Sequence, residues 1–197
     1  MIKFFTSTLI FILSYTNIYA QQNSLVRDYL NVPGPIQFDK TSWHLNWSSH
    51  PYNNYYKQEY LMEGDDSAKF KKMIIIDCLI GRMTVKDVVA QKIYELKKLK
   101  KNNPVIQYQI FEKDGEYLVD FLLSADSSRA SNIIERNIYR YQAIKDKDKT
   151  GVLLFGLCER AYDSEITPFL ISLKDNLQAD ENEVGKFQIP AIKILEK

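Results

Sequence analysis

From Val85 to Lys101 the apolar residues Val85, Val88, Val89, Ile93, Leu96 and Leu99 recur every three or four positions, the period of a helix with one buried stripe. Thr84 and Asp87 form a capping-box-like pair at its start, the shorter Asp standing for Glu, and Met83 can pack on Val88. Asn102, Asn103 and Pro104 stop it. The period then changes to two. Asp114 and Gly115 suit a two-residue type I′ turn, because both central positions need positive φ. Counting back from that turn pairs Ile110 with Val119, Tyr108 with Phe121 and Ile106 with Leu123 on one face. The other face carries Gln107, Gln109 and Asp120 with Phe111, Leu118 and Leu122, so a one-residue slip would expose the apolar set.

Further strands are expected at Ser42 to Ser48, Tyr55 to Met62 and Met73 to Ile80, the last too apolar for an edge. Ile133 to Ile144 and Val152 to Arg160 flank the charged turn DKDKTG and read as a hairpin. Ile134, Ile138 and Tyr141 also fit a helical stripe, but β-branched and aromatic residues prevail, which favours a strand. A second helix is expected from about Glu165 to Leu177, with Pro168 in its first turn, where a missing N–H is harmless. Phe187 to Leu195 adds a last strand, confined to an edge by Pro190. The expected fold is therefore one α+β domain over residues 21–197. It has a mostly antiparallel sheet of about six to eight strands with two main helices packed on it, an α/β/α sandwich-like arrangement. This order of elements resembles the sandwich of PsbP/Mog1-like proteins over most of the chain. The resemblance is one of pattern, without a motif to carry over, and implies a fold rather than a role.

The first 20 residues read as an address. Met1 to Lys3 make a short positive start, Phe4 to Ile18 is apolar apart from small hydroxyl residues and Asn17, and Ala20 precedes the polar pair Gln21 and Gln22. The apolar part is shorter than the ~20 residues a spanning helix needs. Cleavage after Ala20, export to a periplasmic or extracellular location and no stable membrane insertion of the mature chain follow as expectations.

Charge excludes one class of partner. The chain has 26 Lys+Arg against 25 Asp+Glu, and removing the segment that contains Lys3 makes the balance zero. The most basic run, Lys97, Lys98, Lys100 and Lys101, sits at a helix end, where cations offset the dipole, so no nucleic-acid partner is implied. Cys78 and Cys158 lie in the apolar runs MIIIDCLI and VLLFGLC. Export would permit a disulfide between them, but buried free thiols are the favoured reading.

The densest unusual stretch is WHLNWSSHPYNNYYKQEY, Trp43 to Tyr60. Trp43 and Trp47 share a strand face with Leu45 by spacing and suit core packing. Alternatively, Trp43, Trp47, Tyr52, Tyr55, Tyr56 and Tyr60 build a groove for an apolar or sugar-like ligand. His44 and His50 lack metal-ligand spacing, so no metal and no cofactor is expected. With no G-x-S-x-G elbow, hydrolase chemistry at these histidines is an alternative only. The turn Asp146 to Gly151 begins like a calcium loop, but Leu157 stands where the twelfth-position carboxylate belongs. Arg136 and Arg140 share a strand face with Ile138 and are candidates for an anion or partner site. The expected function is a non-enzymatic binding or protein-interaction domain. The alternatives are a secreted hydrolase or metal-dependent enzyme at His44 or His50, and an accessory subunit of an envelope assembly.

Overall fold

The computed structural model describes residues 26–124 and 132–194. The candidate signal segment lies outside the described residues. Eight strands form one antiparallel sheet: β1 Ile36–Phe38, β2 Thr41–Tyr52, β3 Tyr55–Leu61, β4 Lys72–Ile80, β5 Gln107–Lys113, β6 Glu116–Ser124, β7 Ile133–Asp146 and β8 Lys149–Tyr162. Helix α1 is Val85–Lys100 and helix α2 is Ile166–Lys186, entered through a short 3-10 turn at Asp163–Glu165. The strand order is β1-β2-β3-β4-β8-β7-β6-β5, so two sequential meanders meet along a β4–β8 seam and α1 carries the chain from the middle of the sheet to its far edge. The sheet curls into a half-barrel.

The helices cover opposite faces. Val85, Val89 and Leu96 of α1 join Ile75, Val119, Phe121, Tyr141 and Leu154 in one core. Val184 of α2 joins Trp43, Ile74, Ile76, Phe155 and Leu157 in the other, together with Leu30, Val32 and Ile194 from the two ends of the described chain. The capping box at Thr84 and Asp87 is present, each side chain accepting from the other residue's backbone N–H. The Asp114–Gly115 hairpin has the expected register, Ile110 opposite Val119 and Tyr108 opposite Phe121, with both turn residues at positive φ.

Two expectations are corrected, and one strand lies outside those expected. The segment after Phe187 is not a strand. Instead, it runs along the α2 face, with Phe187, Ile189, Ile192 and Ile194 packed into the core, and the Lys193 N–H donates to the Leu30 carbonyl at 2.7 Å. Helix α2 continues nine residues beyond Leu177, to Lys186. Its inward stripe turns from apolar to acidic at Asp180 because a buried arginine, Arg136, lies beneath it, and it returns to apolar at Val184. Strand β1, only three residues long, has no repeat by which to be seen, although Ile36 and Phe38 both point inward.

Candidate functional site: a cleft beneath the first helix

The register places side chains in rows across the α1 face. Lys57, Asp77, Leu154 and Tyr141 make one row, flanked by Tyr55, Leu79 and Val152 on one side and by Glu59, Ile75, Gly156 and Tyr139 on the other. Position 156 must be small, since a Cβ there would lie 2.7 Å from Ile75 Cγ1 and 2.8 Å from Tyr139 Cδ1. Helix α1 spans these rows obliquely. While Val85, Val89 and Leu96 pack into the core, the neighbouring stripe of Asp87, Val88, Gln91, Lys92 and Glu95 overhangs a cleft of about 500 Å³. That volume is within the usual range for small-molecule sites.

Asp77 is the unusual group in this cleft. It interrupts the apolar run Met73–Leu79 of a central strand, and its Oδ2 accepts from the Tyr55 hydroxyl at 2.6 Å. Its Oδ1 is buried without a hydrogen-bond partner. Burial pushes the carboxyl above the usual range, opposed by the Lys57 charge and the Tyr55 hydrogen bond. The same burial, with Asp77 beside it, pushes the Tyr55 phenol up. Tyr139 and Tyr141 are raised mainly by burial, which keeps all three phenols as neutral donors. Lys57 pairs with Glu59 at 3.4 Å. Lys92 rests over the Phe121 and Tyr139 rings at 4.7 and 5.4 Å, and burial lowers its pKa. The cleft thus offers an apolar floor, aromatic walls and one unsatisfied acceptor.

Of the aromatic groove expected between Trp43 and Tyr60, only Tyr55 enters this cleft. The others are dispersed by register. Trp43 is core on the α2 face and donates from Nε1 to the Phe38 carbonyl at 3.1 Å. The expectation that Trp47 shares its face is wrong. A bulge at Asn46 shifts the pairing between Leu45 and Trp47, and Trp47, 44% exposed, lies opposite Glu59 on the α1 face. Tyr52 closes a hairpin and is 71% exposed. Tyr56 and Tyr60 are buried on the α2 face, where Tyr60 accepts from Gln58 at 2.6 Å and Tyr56 stacks on His50 with centroids 4.1 Å apart. The His50 Nδ1 donates to the Tyr55 carbonyl at 2.9 Å, whereas His44 is exposed on β2. Among the described residues no three His, Cys, Asp or Glu side chains gather to hold a metal ion.

Arg136 and Arg140 do share a face, but that face is covered by α2 and the following segment. Arg136 is 1% exposed and already neutralised: it donates through Nε and Nη2 to Asp120, through Nη1 to Asp180 at 2.6 Å, and to the Leu177 carbonyl at 3.1 Å. Arg140 pairs with Glu116 and donates to the Phe187 carbonyl. They anchor α2 and the tail to the sheet and leave no donor fork for an incoming anion. Beside them burial pushes the Glu181 carboxyl up to about 7, the Asp120 charge adding to it. Cys78 and Cys158 are free and buried on opposite faces of the sheet, which rules out a disulfide between them.

The elements that build the cleft fall within residues 30–189, the span matched by a protein-family model, well over half of the chain. The chain belongs to this uncharacterised family. No curated protein and no solved structure matches it significantly. Asp77, Lys92, Tyr139 and Tyr141 were not among the candidates singled out in the sequence. The signal for Asp77 was present in MIIIDCLI, a lone carboxylate in an otherwise apolar central strand, where a buried charge requires a reason.

Proposed function

We propose that this protein is an exported, non-enzymatic binding domain that takes a small ligand in the cleft beneath α1. The ligand has an apolar body and a hydrogen-bond-donating group. The observation that carries this reading is the buried, unpartnered Oδ1 of Asp77 on the floor of the cleft, among Ile75, Leu79, Val152 and Leu154. A buried acceptor left empty costs about 1–3 kcal/mol, and a ligand donor recovers it. The apolar class of ligand agrees with Ile75, Leu79, Val152 and Leu154 beneath and the three tyrosines around. Export rests on the pattern of residues 1–20. No described helix is long and apolar enough to cross a membrane. The placement of one helix on each face supports the sandwich-like layering of PsbP/Mog1-like proteins, with the sheet curled.

Two measurements test the reading. Calorimetric titration with small aryl alcohols, aryl amines and monosaccharides should give saturable binding of at least one class. Leu79→Trp, which fills the cleft, should abolish it while circular dichroism stays native. Absence of saturable binding, or binding indifferent to Leu79→Trp, overturns the site. N-terminal sequencing of the protein recovered outside the cytoplasm should begin at Gln21, and retention of the full chain inside the cell overturns export.

A further inference from the structure

We propose that the group bound at Asp77 is an organic ammonium, so that the ligand is a small amine with an apolar or aromatic body. This rests on the reading of the α1 cleft as a ligand site. A carboxylate offers about four acceptor positions, and Asp77 spends one of them, on Tyr55. A neutral donor would fill the empty position but leave the carboxylate without a cation in direct contact, which is the larger cost. No described Lys or Arg forms an ion pair with Asp77. The two cations that line the cleft are engaged elsewhere, Lys57 with Glu59 and Lys92 over the rings of Phe121 and Tyr139.

The surrounding charge points the same way. Asp77, Asp87 and Glu95 line the cleft against Lys57 and Lys92, three carboxylates to two ammonium groups, and Lys57 is already paired with Glu59. A site with this imbalance and low-dielectric walls draws a monocation and repels an anion. The Tyr141 ring, one strand beyond Leu154, lines the same cleft, and aromatic walls attract an alkylammonium. The remaining floor, Leu79, Val152 and Leu154, takes the hydrocarbon part.

The test uses matched amine and alcohol pairs on the full protein at neutral pH: 2-phenylethylamine with 2-phenylethanol, and hexylamine with 1-hexanol. The amine of each pair should bind about tenfold or more tightly than its alcohol, and Asp77→Asn should erase that preference chiefly by weakening the amine. Tyr55→Phe, which leaves the carboxylate in place, should keep it. Equal affinity for amine and alcohol in the wild type overturns the ammonium assignment while leaving the cleft as a binding site. No binding of any of the four probes overturns both. Because the wild-type ratio alone decides, the inference stays falsifiable even if Asp77→Asn does not fold.

Discussion

Replacing Arg136 with Met keeps the length and apolar stem of the side chain and removes only the guanidinium. Four partners lose it, and they lose it unequally. Glu159 retains Lys72 at 3.0 Å, and Asp180, whose side chain is 23% exposed, can hydrate. Asp120 is 5% exposed and loses three donor contacts between 2.7 and 3.2 Å. A buried carboxylate stripped of its partner costs about 3–5 kcal/mol, a large part of the roughly 5–15 kcal/mol that holds such a domain together. In a chain of this size that is a fall in Tm of roughly 6–20 °C. Urea denaturation followed by far-UV circular dichroism measures it. Arg136→Met combined with Asp120→Leu should recover most of the loss, because the buried carboxylate that the single variant strips of its partner is then gone, while Glu159 keeps Lys72 and Asp180 can hydrate. A single variant that loses less than about 1 kcal/mol, or a double variant no better than the single one, would refute the claim that the buried Arg136 guanidinium is what balances the Asp120 carboxylate.

Three further outcomes follow from the same geometry. Glu181 is raised from 4.5 to about 7 in the folded chain, so between those values the folded state holds the proton more often than the unfolded one. Stability therefore falls as pH rises through this window, and Glu181→Gln should flatten the dependence in a Tm-against-pH series. Gly151→Ala places a Cβ 2.2 Å from the Leu79 carbonyl oxygen at the β4–β8 seam, so it should cost at least about 1–3 kcal/mol in a denaturant melt. Both thiols should be titratable in denaturant without a reducing agent. In the native protein they should react slowly, since burial pushes Cys78 up to about 12 and Cys158 higher still; a single thiol or none in denaturant would contradict the two-faced placement.

Local rules carried the sequence reading a long way where they act alone. The α1 stripe, the capping box and the Asp114–Gly115 register each depend on residues a few positions apart, and each is present. Residues 133–144 are indeed strand, and the DKDKTG turn is a hairpin between Asp146 and Lys149. What failed depended on pairing at a distance. Whether Trp43 and Trp47 share a face is decided by an extra residue at Asn46, which period-two counting cannot register. Whether the α2 face of β7 is wet or dry is decided by a helix some 40 residues later, so Arg136 looked like a surface cation when it is the buried counterpart of Asp120 and Asp180. The cleft was invisible for the same reason. Tyr55, Asp77, Lys92 and Tyr139 come from four elements, and only the order β3-β4-β8-β7 under α1 brings them to one place.

The two faces of the sheet also differ in when they can be completed. The α1 core and its cleft draw on residues from Tyr55 to Cys158, all interior to the chain. The α2 core needs Leu30, Val32 and Ile36 from the beginning and Val184 and Ile194 from the end, and the Leu30–Lys193 hydrogen bond ties one to the other. A chain emerging N-terminus first from a ribosome can therefore assemble the α1 side while its opposite side is still open. That side closes only when the last residues arrive, and the two ends then act as a clasp. Removing the segment around Leu30 or the one around Ile194 would unfasten the protein from behind, far from the cleft.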